Sequence, residues 1–277
     1  MEVSMRKKMT VKTTCLLVLF LFITPFLFLS IKSITSGWSW ESFSLLKVDL
    51  DVWKVLVTDP IILKAIVTSM GLNLIVLILN FIISLPAAKV LAHDTFKGKA
   101  LFETFLYLPI LFPSLAMVMG IHITMIRFGL TDNWLGVSLV HLIPTVPYSI
   151  RILRSGFDSI GPHLESQART LGASNMTILH HIYFPLLLPS LRSVVFLVTV
   201  ISLSQYALTA IIGGGSVITL AMIYFPYFST VNETMIASVS ILFALIPIAM
   251  MGLSEMLFRI LVPYYKKSKV GGDLYER

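Results

Sequence analysis

Charge is what this sequence has least of. Asp, Glu, Lys and Arg make up 13 % of its 277 residues, about half the share of a soluble protein. A chain that is 56 % hydrophobic, with a mean hydropathy of +0.89, does not have water as its main solvent. Cysteine is nearly absent. Cys15 stands alone, so one chain forms neither a disulfide framework nor a paired-cysteine metal site. Catalytic signatures are missing too: there is no G-x-S-x-G, no H-E-x-x-H and no G-x-x-x-x-G-K-[ST] phosphate loop. The single Gly-Lys pair, Gly98-Lys99, has His93 where the first glycine of that loop belongs. The net charge of +7 does not form a basic face interleaved with aromatics, which argues against nucleic acid.

What is present is a set of long apolar runs. A membrane-spanning helix needs about 20 largely apolar residues in a row, and six segments qualify: Thr13 to Ile34, Ile66 to Leu91, Thr104 to Ile126, Trp134 to Leu153, Leu191 to Ile212, and Met235 to Leu261. Each is read as a helix, because a segment in lipid satisfies its backbone hydrogen bonds internally. The fold class is therefore all-α, a polytopic membrane protein of about six spans. Kinks are expected at Pro86, Pro109, Pro113, Pro144 and Pro147. The basic N-terminus, Arg6, Lys7, Lys8 and Lys12, resembles a signal peptide but lacks a small-residue cleavage site, so it reads as a retained first span. Residues 1–60 then form a tail, first span and outer connection, 61–263 the main transmembrane domain, and 264–277 a second tail.

Orientation follows from the basic residues. With the N-terminus inside, 16 of the 21 lysines and arginines fall in inner connections, which places both termini in the cytoplasm of a multi-pass cell-membrane protein. Trp38, Trp40, Trp53 and Trp134 suit the membrane interface on the outer side.

The inner connection between the fourth and fifth spans, Arg154 to Leu191, is periodic. Gly161 and Pro162 mark a helix start, and Leu164, Ala168 and Leu171 recur at i, i+4 and i+7 as an apolar stripe. Glu165 and Arg169 form an i,i+4 pair on another face. Gly172 stops this helix, Ser174 caps a second, and Pro185 and Pro189 are expected to break the chain before the fifth span. The pattern describes a helix-turn-helix at the membrane surface.

At these residues the chain resembles the EAA-loop permeases of type I, binding-protein-dependent ABC importers. Their pattern is E-A-A, three residues, G-A, and later an apolar I-x-L-P. Ala168, Gly172, Ala173, Leu179, Ile182, Pro185 and Pro189 fall on it. Ser166 stands in the usual glutamate position, Gln167 in that of the first alanine and Phe184 in that of the leucine, while Glu165 lies one residue early. The resemblance extends over roughly Ile62 to Leu261. It implies a coupling helix seated in a groove of a separate ATPase, with Glu165 as the candidate ion pair to that partner. It also implies an ATPase dimer that uses ATP and Mg, a second permease copy or paralogue, and an extracytoplasmic substrate-binding protein. No cofactor is expected on this chain itself. A surface helix bound to lipid headgroups is the alternative for the loop.

Polar groups in lipid face other helices or a path. Thr199, Ser202, Gln205, Tyr206 and Thr209 share an arc of about 120° on the fifth span, and Asn73 and Asn80 share a face of the second. Two readings stay open for these seven: a lined translocation path, or hydrogen bonding between packed helices. Gly213 to Gly215 reads as an outer turn or a point of close approach. His180 and His181 point about 100° apart and cannot chelate one ion. His122 and His141 read as interhelical hydrogen-bonding groups, and Glu255 as a structural pair with Arg259. The competing classes are an ATP-independent secondary transporter or channel, and a membrane-embedded enzyme. For the substrate, the stretch after Ser204 favours a small organic cation such as a polyamine or thiamine, with phosphonate, ferric iron or an oxyanion as alternatives.

Overall fold

A computed structural model describes residues 2–36, 47–229 and 232–261. Trp38, Trp40 and the 264–277 tail lie outside the described residues, as do the side chains of Cys15 and the N-terminal basic residues. The helices are α1 (Glu2–Ser33), α2 (Asp51–Thr58), α3 (Pro60–His93), α4 (Lys99–Leu111), α5 (Ser114–Arg127), α6 (Trp134–Ile160), α7 (Pro162–Thr170), α8 (Asn175–Ile178), α9 (Phe184–Leu203), α10 (Tyr206–Gly213), α11 (Leu220–Tyr224) and α12 (Glu233–Leu261). A π-helical turn, Leu179–Tyr183, joins α8 to α9, and Phe225–Ser229 is a 3₁₀ turn. Two short strands, β1 (Thr35–Ser36) and β2 (Lys47–Val48), pair antiparallel with Thr35 opposite Val48.

The chain divides into two compact units, Met1–Lys64 with Ile223–Leu245, and Ala65–Met222 with Ile246–Arg277. In the first, the end of α1 is tied down by polar contacts. Trp53 Nε1 donates to the Ser33 carbonyl (3.1 Å), Thr234 Oγ1 donates to the Thr35 carbonyl (3.0 Å), and Lys32, itself buried, pairs with Glu233.

In the second unit α6 packs against α9, each contributing a buried face that includes Leu153 and Phe157 on one side and Leu187, Leu191, Val194 and Val198 on the other. A second cluster joins Leu72, Val118, Val137, Val140, Leu208 and Ile212, from α3, α5, α6 and α10. Lipid is as apolar as these side chains, so close packing and interhelical hydrogen bonds hold such helices together rather than expulsion of water. Their outward faces carry large apolar residues, among them Leu74, Ile78, Ile82, Phe105 and Ile248. Those faces suit an acyl solvent.

Four helices among the described residues are long and apolar enough to cross a membrane: α3, α6, the run Asn175–Leu203, and α12. The third expected span is different. It is two helices, α4 and α5, bent by 103°. At about 1.5 Å per residue neither crosses a bilayer alone. Pro113 causes the break: its ring forbids helical geometry at Phe112, which is extended at φ −89°, ψ 139°. Pro86, Pro109, Pro144 and Pro147 all lie within continuous helices.

The fifth span also departs from expectation. Pro185 and Pro189 do not interrupt the chain, which runs as one helix from Asn175 to Leu203. For Pro185 the π turn supplies the reason, while Pro189 lies inside α9. The Phe184 N–H bonds to the Leu179 carbonyl five residues back, so Pro185 falls in the first turn of the new α register, where its missing N–H costs little. The helix then stops at Leu203 instead of Ile212, because Gln205 is non-helical (φ −80°, ψ 70°) and the Ser204 hydroxyl takes the Ile201 carbonyl.

Candidate functional site

The loop between α6 and α9 is built by local rules. Pro162 occupies the first turn of α7, directly after Gly161 at φ 69°. At the other end the Gly172 N–H bonds to the Arg169 carbonyl (2.9 Å) and the Ala173 N–H to the Ala168 carbonyl (3.0 Å). That pair of bonds is a Schellman motif, and it holds Gly172 in the left-handed region at φ 83°. Ser174 Oγ then accepts from the Thr177 N–H (3.2 Å) and opens the next helix. The turn between the helices is thus fixed by the backbone itself.

This places an apolar ridge in the open. Leu171 is 87 % exposed and Met176 71 %, with Leu164 and Leu179 also exposed beside them. Ser166 and Arg169 are exposed as well, and Ala168 is half-buried. Ile182 and Pro185, further along, are half-buried in the helical run that follows.

Glu165 does not share that ridge. Its side chain is 15 % exposed and turns inward. Oε1 accepts from Arg169 Nε (3.0 Å) and Nη2 (2.6 Å), while Oε2 takes Lys89 Nζ (2.9 Å) and the Tyr183 hydroxyl. The intrahelical pair with Arg169 was legible in the sequence. Lys89 and Tyr183 were not, since one sits at the end of α3 and the other in the π turn. Lys89 Nζ also lies 4.8 Å from the centre of the Tyr183 ring, which packs edge-on against Phe157. At the same corner His93 Nε2 is 3.1 Å from the Phe157 carbonyl.

Desolvation pushes the Glu165 carboxyl upward, but hydrogen bonds from Tyr183, Lys89 and Arg169 outweigh it and bring the pKa down to about 2 from 4.5. The folded pKa lies below the unfolded one, so the unfolded chain takes up the proton first as pH falls. The carboxylate's contribution is therefore complete above about pH 4.5 and is lost as pH falls from there towards 2. The melting-temperature difference between wild type and Glu165→Gln in detergent is expected to stay constant above about pH 5 and to shrink steadily below it.

The polar residues of the spans are drawn into the interior. Asn73 Nδ2 donates to Thr199 Oγ1 (3.0 Å) and Asn80 Nδ2 to Thr145 Oγ1 (2.7 Å). The His141 ring lies between Ser202 Oγ (2.9 Å) and Thr209 Oγ1 (3.0 Å). Asn73, Asn80, Thr199 and Thr209 have no exposed surface, and Ser202 has 6 %. In this structure those five tie helices together. Neighbouring helices supply partners for the buried hydroxyls and for the two amide NH2 groups, since such groups are costly to leave unpaired, while Asn73 Oδ1 and Asn80 Oδ1 are buried without a partner among the described residues. Gln205 and Tyr206 stand apart from them. Both are half-buried, at the break between α9 and α10, beside the exposed Ser204.

The remaining candidates are structural. Glu255 pairs chiefly with Arg192 of α9 through two bonds (2.8 and 3.0 Å), and only secondarily with the expected Arg259 (3.4 Å). The His180 and His181 rings are 5.2 Å apart on an exposed surface, with His181 Nδ1 facing the Thr177 carbonyl. Gly214 and Gly215 turn the chain after α10 with positive φ. Among the described residues, His, Cys, Asp and Glu form no group able to hold a metal.

The family model described as the binding-protein-dependent transport system inner membrane component matches residues 83–265. This chain belongs to that family. Among other inner membrane components, it is 31 % identical over 137 residues to the molybdate/tungstate transport system permease protein WtpB of Pyrococcus abyssi, covering 49 % of this chain and 54 % of the relative. It is 26 % identical over 174 residues to the sulfate transport system permease protein CysT of Salmonella typhimurium, covering 58 % and 62 %. The chain thus spans only about half to three fifths of these relatives' lengths. In fold it is similar to a chain of a bacterial ABC transporter involved in the import of the acidic polysaccharide alginate, with a TM-score of 0.63 at 18 % identity over 94 % of this chain and 97 % of that one. Both the helix-turn-helix loop, residues 162–183, and the break at Gln205 fall inside the matched region.

Proposed function

We propose that this chain is the permease subunit of an ATP-driven importer and carries a small tetrahedral oxyanion of the molybdate, tungstate or sulfate class across the cell membrane. It works with a separate ATPase dimer, a second permease copy or paralogue, and an extracytoplasmic binding protein. ATP and Mg are used by the ATPase, and both termini face the cytoplasm. The observation that carries the reading is the ridge of Leu164, Leu171 and Met176 on a loop rigidly shaped by Gly172, within a chain of the inner membrane component family. A short rigid helix with an apolar stripe fits a groove on a partner. Docking rests on that ridge and on the loop's shape, rather than on Glu165, whose oxygens are engaged within the chain.

The substrate class follows the relatives named for molybdate/tungstate and sulfate. It replaces the organic cation expected from the stretch after Ser204. The path runs past Ser204, Gln205 and Tyr206, where α9 gives way to α10. Neutral hydroxyl and amide groups hold an anion weakly enough to release it.

Leu171→Asp tests the docking surface: a charge at the centre of the ridge is expected to lower ATPase co-purification and uptake about tenfold. In proteoliposomes carrying the whole assembly, labelled molybdate or sulfate should enter with ATP. Uptake of ferric ion or a polyamine in place of either anion overturns the substrate class. Unchanged ATPase retention in Leu171→Asp overturns the ridge as the docking surface.

A further inference from the structure

We infer that Glu165, Lys89 and Tyr183 form a transmission node that carries movement of α7 into the two helices α3 and α9, and that Glu165 is a positioning residue for transport rather than a contact to the ATPase. The inference rests on the permease reading above. Three observations carry it. First, both carboxylate oxygens are used inside the chain, Oε1 by Arg169 and Oε2 by Lys89 and the Tyr183 hydroxyl, and the side chain is largely covered. A partner's cation would find the acceptor occupied.

Second, the three residues come from three elements. Glu165 is on α7, Lys89 on the last turns of α3, and Tyr183 at the end of the π turn that leads into α9. One carboxylate therefore links the exposed helix to two membrane-crossing ones. Third, a cavity of about 520 Å³ opens at the node, lined by Lys89, Glu165 and Tyr183 together with apolar residues such as Ile82 and Leu85 of α3 and Leu187 of α9. The side chains of Lys89, Glu165 and Tyr183 bridge the two helices at this cavity. The π turn matters for the same reason: its extra residue rotates Tyr183 relative to a regular helix, and such turns recur where function needs an irregular helix.

The test uses the complete assembly in proteoliposomes, with Glu165→Gln, Tyr183→Phe, Lys89→Met and the conservative Lys89→Arg. Four quantities are read: ATPase retained on purification, basal ATP hydrolysis, hydrolysis stimulated by loaded binding protein, and uptake. Tyr183→Phe removes only a hydroxyl, so it guards against simple misfolding. The expected result is full ATPase retention and basal hydrolysis in all four. Stimulated hydrolysis and uptake fall together by about tenfold in the first three, within the usual range of coupling between sites, while Lys89→Arg keeps most of both. If Glu165→Gln sheds the ATPase while Tyr183→Phe and Lys89→Met transport normally, Glu165 is a docking contact and the node is refuted. Equal loss of basal and stimulated hydrolysis reduces the trio to a structural brace and also refutes it. A wild-type chain that retains no ATPase refutes the permease reading instead, a result distinct from either.

Discussion

Gly172→Val is expected to leave the chain in the membrane and to strip it of its ATPase. Space is not the obstacle, since a Cβ at this position meets no atom within 4 Å. The obstacle is φ, which stands at +83°. An L-residue pays about 1–2 kcal/mol in the left-handed region, and a β-branched one pays more. Rotating out of it gives up the Schellman bonds from Gly172 and Ala173, at about 1 kcal/mol each. Either route costs about 2 kcal/mol, which lowers the population of the formed loop about thirtyfold. Gly172→Asn is the informative partner, because asparagine tolerates this region. Pull-down of the ATPase and substrate uptake should rank glycine first, asparagine close behind, alanine lower and valine near background. A valine variant that keeps its ATPase would sink the claim that loop shape is what docks.

The second large effect is on stability. Gly136→Ala should disrupt the end of the second unit where α5, α6 and α10 meet, because a Cβ there would lie 1.5 Å from the Leu130 carbonyl oxygen. That neighbour is backbone, so the whole connection from Leu130 to Asn133 must shift. Two attachments shift with it: the Asn133 side chain that accepts from the Gly136 N–H (2.8 Å), and the Asp132 N–H bonded to the Ile212 carbonyl (2.8 Å). Overpacking of this kind costs about 3 kcal/mol, or roughly 10 °C in melting temperature. Thermal unfolding of the purified protein in detergent reads it. A change below a couple of degrees would mean that the connection yields freely.

Much of the loop was legible because its determinants are local. Pro162, Gly172 and Ser174 act through bonds no more than a turn away, so their spacing alone describes two helices and the turn between them. The same locality explains the failures. Proline marks where a helix can bend but not by how much, so Pro113 gives a 103° break while Pro144 and Pro147 stay within α6. Pro185 reads as a stop until the π turn before it is known, and a shift of one hydrogen-bond register leaves no residue signature. The polar face of α9 was correctly periodic, yet its meaning depended on His141, which waits on another helix between Ser202 and Thr209. Glu165 illustrates the limit most sharply. Its partner four residues on was visible, while Lys89 and Tyr183 reach it only through the tertiary fold.

The uninterrupted helix from Asn175 to Leu203 sets a scale for mechanical advantage. Its 29 residues form a rod about 43 Å long. Pivoted at one end, such a rod turns a tilt of about 5° into a displacement of about 4 Å at the other. Had the prolines cut it, the same push would be absorbed in a flexible joint. The unbroken run is thus a lever with one end beside Ser174 and the other next to Gln205.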